Sequence, residues 1–161
     1  MITLIQRVTA AAVRVDGEVT GRIERGLLLF VGVEATDTEA DADATARKVA
    51  ALRIFPGRTP TDLDVQQIGG GYLVVSQFTL AAELRHGNRP DFTAAAPPAL
   101  ANALYERVVA QLRATGSPTA TGRFGASMQV ELTNDGPFSI VLTVQKGRVV
   151  ARSQSPSESV G

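Results

Sequence analysis

The sequence predicts an α+β fold, a mostly antiparallel sheet or partial barrel with two helices packed against it. Three observations carry that expectation. Two segments read as helices, one from the N-cap candidates at 36–38 to the stop at Pro56-Gly57, the other, at about 98–115, from apolar residues at helical spacing. Six or more other segments either alternate like half-buried strands or run continuously apolar. Helices and strands also come in mixed order, which favours segregated packing over a regular α/β alternation.

Along the chain, residues 2–15 have strand character through Ile2, Leu4, Val8, Val13 and Val15, and Asp16-Gly17 marks a turn. "EVTGRIE" reads as the return strand. "GLLLFVGVE" (26–34) is a continuous apolar run, as in a strand buried on both faces. Thr36-Asp37-Thr38 offers N-caps for a helix running to about Phe55, where Pro56-Gly57 stops it. Gly69-Gly70-Gly71 is a turn, and Tyr72 to Phe78 is a second buried strand. Residues 81–98 read as loop. The second helix carries Leu100, Leu104, Val108 and Leu112 as one stripe, widened by Ala101, Tyr105 and Val109, with Gly116 as its stop signal. Residues 127–133 and 138–145 alternate as two strands, with Asn134-Asp135-Gly136 reading as a turn between them. Met128, Val130 and Leu132 share one face, and Ile140, Leu142 and Val144 share another. After Gln145 the pattern dissolves, and 152–161 reads as a disordered tail.

Composition narrows the chemistry. A chain of 161 residues is one domain, able to bury roughly two-thirds of its unfolded surface. It has no cysteine, which excludes disulfides, thiolate nucleophiles and Cys-ligated zinc. His86 is the only histidine, so neither a metal nor another cofactor is expected. Sixteen basic and sixteen acidic side chains cancel. A protein that wraps nucleic acid broadly is basic, so any grip on nucleic acid should be local, and DNA is not an expected partner. No run approaches the ~18 apolar residues of a membrane span. Gln6, Arg7 and Arg14 interrupt the N-terminal apolar residues, unlike a signal peptide. A cytoplasmic protein without a membrane partner is the expectation.

Several motifs admit more than one reading. "SQFTL" (76–80) ends a buried strand with Ser76, Gln77 and Thr79. It reads either as a polar substrate grip or as a strand end whose side chains satisfy the turn. A nucleophilic Ser or Thr needs a base. A triad drawn through His86 has no spacing to support it. "RHGNRPDF" (85–92) sets Arg85 and Arg89 on a glycine-containing loop, either to meet a phosphate or simply to be solvated. "TGRFGASM" (121–128) has two glycines around Phe124, for close approach to a flat ligand or for a β-bulge. Gly69-Gly70-Gly71 lacks the Lys-Ser/Thr of a phosphate loop and is not followed by a helix. In "NDGPFSI" (134–140), Pro137 removes a ladder donor just behind a good turn.

Taken in order, "MITLIQRVTAAAVRVDGEVTGRIERGLLLFVGVE", "LRIFPG", "VVSQFTLAAE", "GNRPDF" and "TGRFGASMQVELTNDGP" closely resemble D-aminoacyl-tRNA deacylases over about residues 1–145. The resemblance implies a homodimeric carboxylic ester hydrolase that frees tRNA from D-amino acids and from mischarged glycine, acting at the terminal adenosine end. By position, it puts Ser76, Gln77 and Thr79 in the catalytic role, and Phe78, Arg89, Phe124 and Met128 against substrate. It implies that Gly136 and Pro137 form a cis peptide that reaches into the partner's pocket and excludes L-amino acids. The family's chemistry is written either with Thr79 as nucleophile or with the 2′-OH of the terminal adenosine activating water. The missing base favours the second. Where the family usually continues Gly-Pro-Val-Thr, this sequence has Gly136-Pro137-Phe138-Ser139. Residues 146–161 extend past the usual family end. The alternative expectation is a non-catalytic module that binds aminoacylated tRNA ends.

Overall fold

The computed structural model describes residues 1–151, so the tail at 152–161 lies outside the described residues. β1 (Ile2–Val15) turns through Asp16 and Gly17, whose φ angles of 50° and 81° give the doubly left-handed turn that matches strand twist. β2 (Glu18–Ile23) returns antiparallel along the second half of β1. β3 (Gly26–Gly32) pairs antiparallel with the first half on the same edge. α1 (Glu39–Ala51) then leads to β4 (Gly71–Ser76), parallel to β3. A 3₁₀ turn (Phe78–Ala81) and a long loop precede α2 (Pro98–Arg113). β5 (Thr119–Thr121) adds parallel to β4. β6 (Gln129–Gln145) runs antiparallel along the other edge of β1, and β7 (Arg148–Val150) pairs with its end.

The sheet has seven strands in the order β5-β4-β3-β1-β6-β7, with β2 also on β1. It curls until β2 meets β5 and β4. Gly21 permits that closure, because a Cβ there would run into the Thr121 carbonyl oxygen. One face of the sheet packs Ile5, Leu27, Leu29, Tyr72, Val74, Leu142 and Val144 against Val49 of α1 and Leu104, Val108 and Leu112 of α2. The concave face holds a second cluster of Val8, Ala11, Val13, Ile23, Leu28, Leu73 and Val75. Each buried Val, Leu or Ile among them contributes roughly 1.5–3 kcal/mol on burial. This is the expected α+β partial barrel with two packed helices.

Four local expectations are corrected. α1 ends at Ala51 rather than Phe55. Pro56 biases Phe55 toward extended backbone, where it pairs with Leu63 and buries its ring. β4 ends at Ser76, because Gln77 donates the last ladder bond to Val31 O at 2.9 Å and the chain then tightens into the 3₁₀ turn. Residues after Gln145 do not all leave the sheet. Lys146 and Gly147, at φ 52° and 69°, turn the chain into β7.

The fourth correction concerns "NDGP". It joins no hairpin, because residues 129–133 and 138–145 belong to one strand, β6, paired with the same neighbour. Gln6 faces Ser139 and Val8 faces Asn134, so the intervening β6 residues loop out as a bulge. The two expected faces survive. Met128 and Val130 pack on the concave cluster, while Ile140, Leu142 and Val144 pack on the helix side. Leu132 is exposed.

Candidate functional site

The end of β4 opens into a pocket of about 360 Å³, with Ser76, Gln77 and Phe78 on one wall. The opposite wall comes from Phe124, Gly125, Ala126, Met128 and Val130, and the start of α2 adds Pro98 and Ala101. Gly32 allows the 3₁₀ turn to sit there, since a Cβ would lie 2.9 Å from Leu80 Cβ and 3.0 Å from Gln77 O. The floor is braced from behind. Tyr105 donates its hydroxyl to Val74 O at 2.8 Å, and its ring lies 6.1 Å from that of Phe124.

Sequence reasoning grouped Ser76, Gln77, Phe78, Phe124 and Met128, and the structure brings those five together. Thr79 is one residue beyond the lining, exposed, with its hydroxyl accepting the Gln77 side-chain amide. An amide is no base, and among the described residues no carboxylate or imidazole bonds Ser76 or Thr79. The first turn of the 3₁₀ segment leaves the Phe78 and Thr79 N–H groups without a carbonyl partner among the described residues. Two backbone donors therefore stand beside the polar wall.

Arg89 does not line the pocket. It lies in the exposed loop 84–90, whose base is closed by Glu83 N–H to Asp91 O at 2.8 Å and Asp91 N–H to Glu83 O at 3.1 Å. Arg85, through its side chain and then its backbone N–H, holds the Glu83 carboxyl down at about 2. His86 is exposed in this loop, away from any triad.

Gly136 and Pro137 are exposed on the β6 bulge and do not line the pocket of their own chain. Their peptide is cis. The bulge is tied at its neck, where Phe138 N–H donates to Asn134 Oδ1 at 2.9 Å and Asn134 Nδ2 donates to Ser139 Oγ at 2.9 Å. From beneath, Arg7, only 8% exposed, donates to Asp135 O at 3.0 Å and to Ile54 O at 2.6 Å. Its guanidinium lies 4.8 Å from the centre of the Phe138 ring.

The sequence reading missed Arg7 and Asn134 as site-forming residues. Arg7 had a visible signal, because it shares the strand parity of buried Ile5 and so points a charge inward. Asn134 had none, since a turn asparagine and a neck-closing asparagine look alike in sequence.

No group of three or more possible metal ligands occurs among the described residues, and no helix is long and apolar enough to cross a membrane.

Comparison with known proteins is consistent in direction. A family model described as D-Tyr-tRNA(Tyr) deacylase matches residues 4–143. The D-aminoacyl-tRNA deacylase of Saccharophagus degradans is 52% identical, covering 89% of this chain and 100% of that one. The protein of the same name from Aeromonas hydrophila is 54% identical over 89% of this chain and 100% of its own. A solved structure titled c-Myc DNA Unwinding Element Binding Protein superposes with a TM-score of 0.85 at 37% identity, covering 90% of this chain and 99% of that one. One titled as a probable eukaryotic D-amino acid tRNA deacylase has a TM-score of 0.73 at 15% identity, covering 87% and 97%, and supports the fold alone.

Proposed function

The chain belongs to the D-aminoacyl-tRNA deacylase family, and from that premise we propose that it hydrolyses the ester between a D-amino acid and the terminal adenosine of tRNA. Water attacks the ester carbonyl. The carbonyl–oxygen bond to the ribose breaks, and the ribose oxygen takes a proton, leaving free tRNA and the amino acid. The observation that carries the reading is the pocket at the end of β4, where Ser76 and Gln77 stand beside the N–H groups of Phe78 and Thr79, which have no carbonyl partner among the described residues. Such donors stabilise the oxygen that gains charge as the carbonyl turns tetrahedral.

Thr79 positions rather than attacks, since among the described residues its hydroxyl contacts an amide and no base. The ribose 2′-OH is the remaining group close enough to help activate water. Phe78, Phe124 and Met128 supply the apolar contact, and Arg89 meets the nucleic-acid backbone. A local grip of this kind suits a chain of zero net charge.

Gly136 and Pro137 exclude the L-amino acid from a second copy of the chain. The supporting observation is that the bulge presents exposed main chain yet lies outside its own pocket. Exclusion by main chain leaves room for glycine, which has no side chain to collide, so glycyl-tRNA is also a substrate. A homodimer in the cytoplasm is the form that works.

The test is release of amino acid from matched D- and L-tyrosyl-tRNA. Rapid release from the D form with the L form nearly untouched is expected. Equal rates would sink the selectivity reading. Binding without release from either would favour the non-catalytic module.

A further inference from the structure

Beyond the pocket, the rings of Phe78 and Phe92 meet edge to face with centroids 5.1 Å apart and planes at 70°. Both are open, 54% and 36% exposed. Phe78 lines the pocket, so the pair forms its rim. Phe92 is also held in place. It follows the Glu83–Asp91 bridge, and the Asp91 carboxylate accepts the Thr93 hydroxyl at 2.5 Å and the Thr93 N–H at 2.8 Å, fixing the backbone on both sides of the ring. Those Thr93 donors keep the Asp91 carboxyl below its usual range.

We propose that the Phe78–Phe92 pair is a stacking platform for the unpaired base that precedes the esterified nucleotide at the tRNA 3′ end. The inference rests on the proposed function, which puts the ester against Ser76 and Gln77. A strand that leads out of the pocket past Phe78 then crosses this rim. Unpaired bases stack on exposed aromatic faces with little regard to sequence. Charge agrees with a nucleic-acid occupant. Arg85 is tied to Glu83 at 2.7 Å, whereas Arg89 on the same loop has no ion pair among the described residues and is available to a phosphate.

The experiment compares two short substrates, D-tyrosyl esters of adenosine and of cytidylyl-adenosine. The readout is the ratio of kcat/KM, dinucleotide over nucleoside, for wild type, F92L and F92W. F92L keeps apolar bulk without a π face, and F92W keeps the face. Thermal melts establish that each variant is folded. In the wild type the ratio is expected to be about 5 or more, the worth of one base–aromatic stack. F92L should bring it toward one through KM, and F92W should preserve it. A wild-type ratio near one, or a ratio unmoved by F92L, overturns the platform. If F92L leaves the ratio unmoved and instead changes the sedimenting species, the pair is a contact between copies and the platform is equally overturned. No release from either ester overturns the deacylase reading and the platform together, whereas release with a ratio near one overturns the platform alone.

Discussion

Replacing Arg7 with methionine should loosen the β6 bulge and unsettle the core beneath it. Methionine keeps the length and the apolar stem but loses every donor. Two backbone acceptors then lose a charged partner, Ile54 O at 2.6 Å and Asp135 O at 3.0 Å. A hydrogen bond from a charged group is worth about 1.5–3 kcal/mol. The ion pair to Asp135 Oδ2, at 3.4 Å, adds little because that carboxylate is partly solvated. The contact with the Phe138 ring adds about 0.5–2 kcal/mol. Asp135 O lies beside an exposed loop, and water recovers part of its bond. Ile54 O is recovered less, since Ile54 is buried. A net loss of about 3–5 kcal/mol follows, in line with stripping one partner from a buried charged contact. At about 2–4 °C per kcal/mol for a chain of this size, the melting temperature should fall by roughly 6–20 °C. Urea denaturation and a thermal melt measure this, and the rates on D- and L-tyrosyl-tRNA measure the second effect. Release from the L form should rise relative to the D form, because the Gly136 main chain is no longer backed by the guanidinium. A stability within 1 kcal/mol of wild type, with the D/L ratio unchanged, would refute the clamp.

The other expectations are smaller or local. Thr79→Ala should slow release without abolishing it, and a 2′-deoxy terminal adenosine should hurt more than the mutation does. Trapping a covalent acyl-Thr79 adduct would end the positioning account. Burial pushes the Asp41 carboxyl up, but the Gly147 N–H, the Thr38 N–H and the Thr38 hydroxyl together hold it below its usual range. Its folded value is thus below its unfolded one. The stability it contributes is complete above about pH 4–5 and is lost as pH falls toward the folded value. Asp41→Asn should cost about 1–3 kcal/mol at pH 7 and flatten that acid limb, which a urea titration at several pH values checks. Gly21→Ala should cost about 1–3 kcal/mol by overpacking, since the new methyl meets the Thr121 carbonyl and lies 3.1 Å from Leu73 Cδ1. A melt unchanged from wild type would show that the sheet does not close there.

Legibility tracked how local the deciding physics was. β1, β2 and the turn at Asp16-Gly17 are written in adjacent residues, and so is the apolar stripe of α2 from Leu104 to Leu112. β5 and β7 are three residues each. Such strands have no period to read and exist because Val74 and Thr143 offer a free edge. The site divides the same way. Ser76, Gln77 and Phe78 are contiguous, and their meeting with Phe124 and Met128 was carried by the family resemblance rather than by spacing. Pro98 and Ala101 reach the pocket only because α2 packs where it does, which no local pattern states.

The bulge at Asn134–Pro137 is the sharpest case, because there a good local signal pointed the wrong way. Asp-Gly between alternating segments is the common signature of a hairpin. A hairpin would pair 127–133 with 138–145 and leave β1 with only short partners. Yet β1 is fourteen residues long, roughly 45 Å of unbroken strand. Its first edge is already divided between β3 and β2. Its other edge needs a partner of comparable length, and neither half of the later segment is long enough alone. Joined end to end they are, and β6 follows β1 from Thr143 opposite Ile2 to Gln129 opposite Arg14. Folding therefore trades a local turn for two stretches of ladder along one neighbour, and the surplus residues must leave the sheet. Pro137 is tolerated there for the same reason. A residue outside the ladder has no use for the N–H that proline lacks. Comparing strand lengths across the whole chain, rather than turn signals one at a time, would have exposed the bulge in the sequence itself.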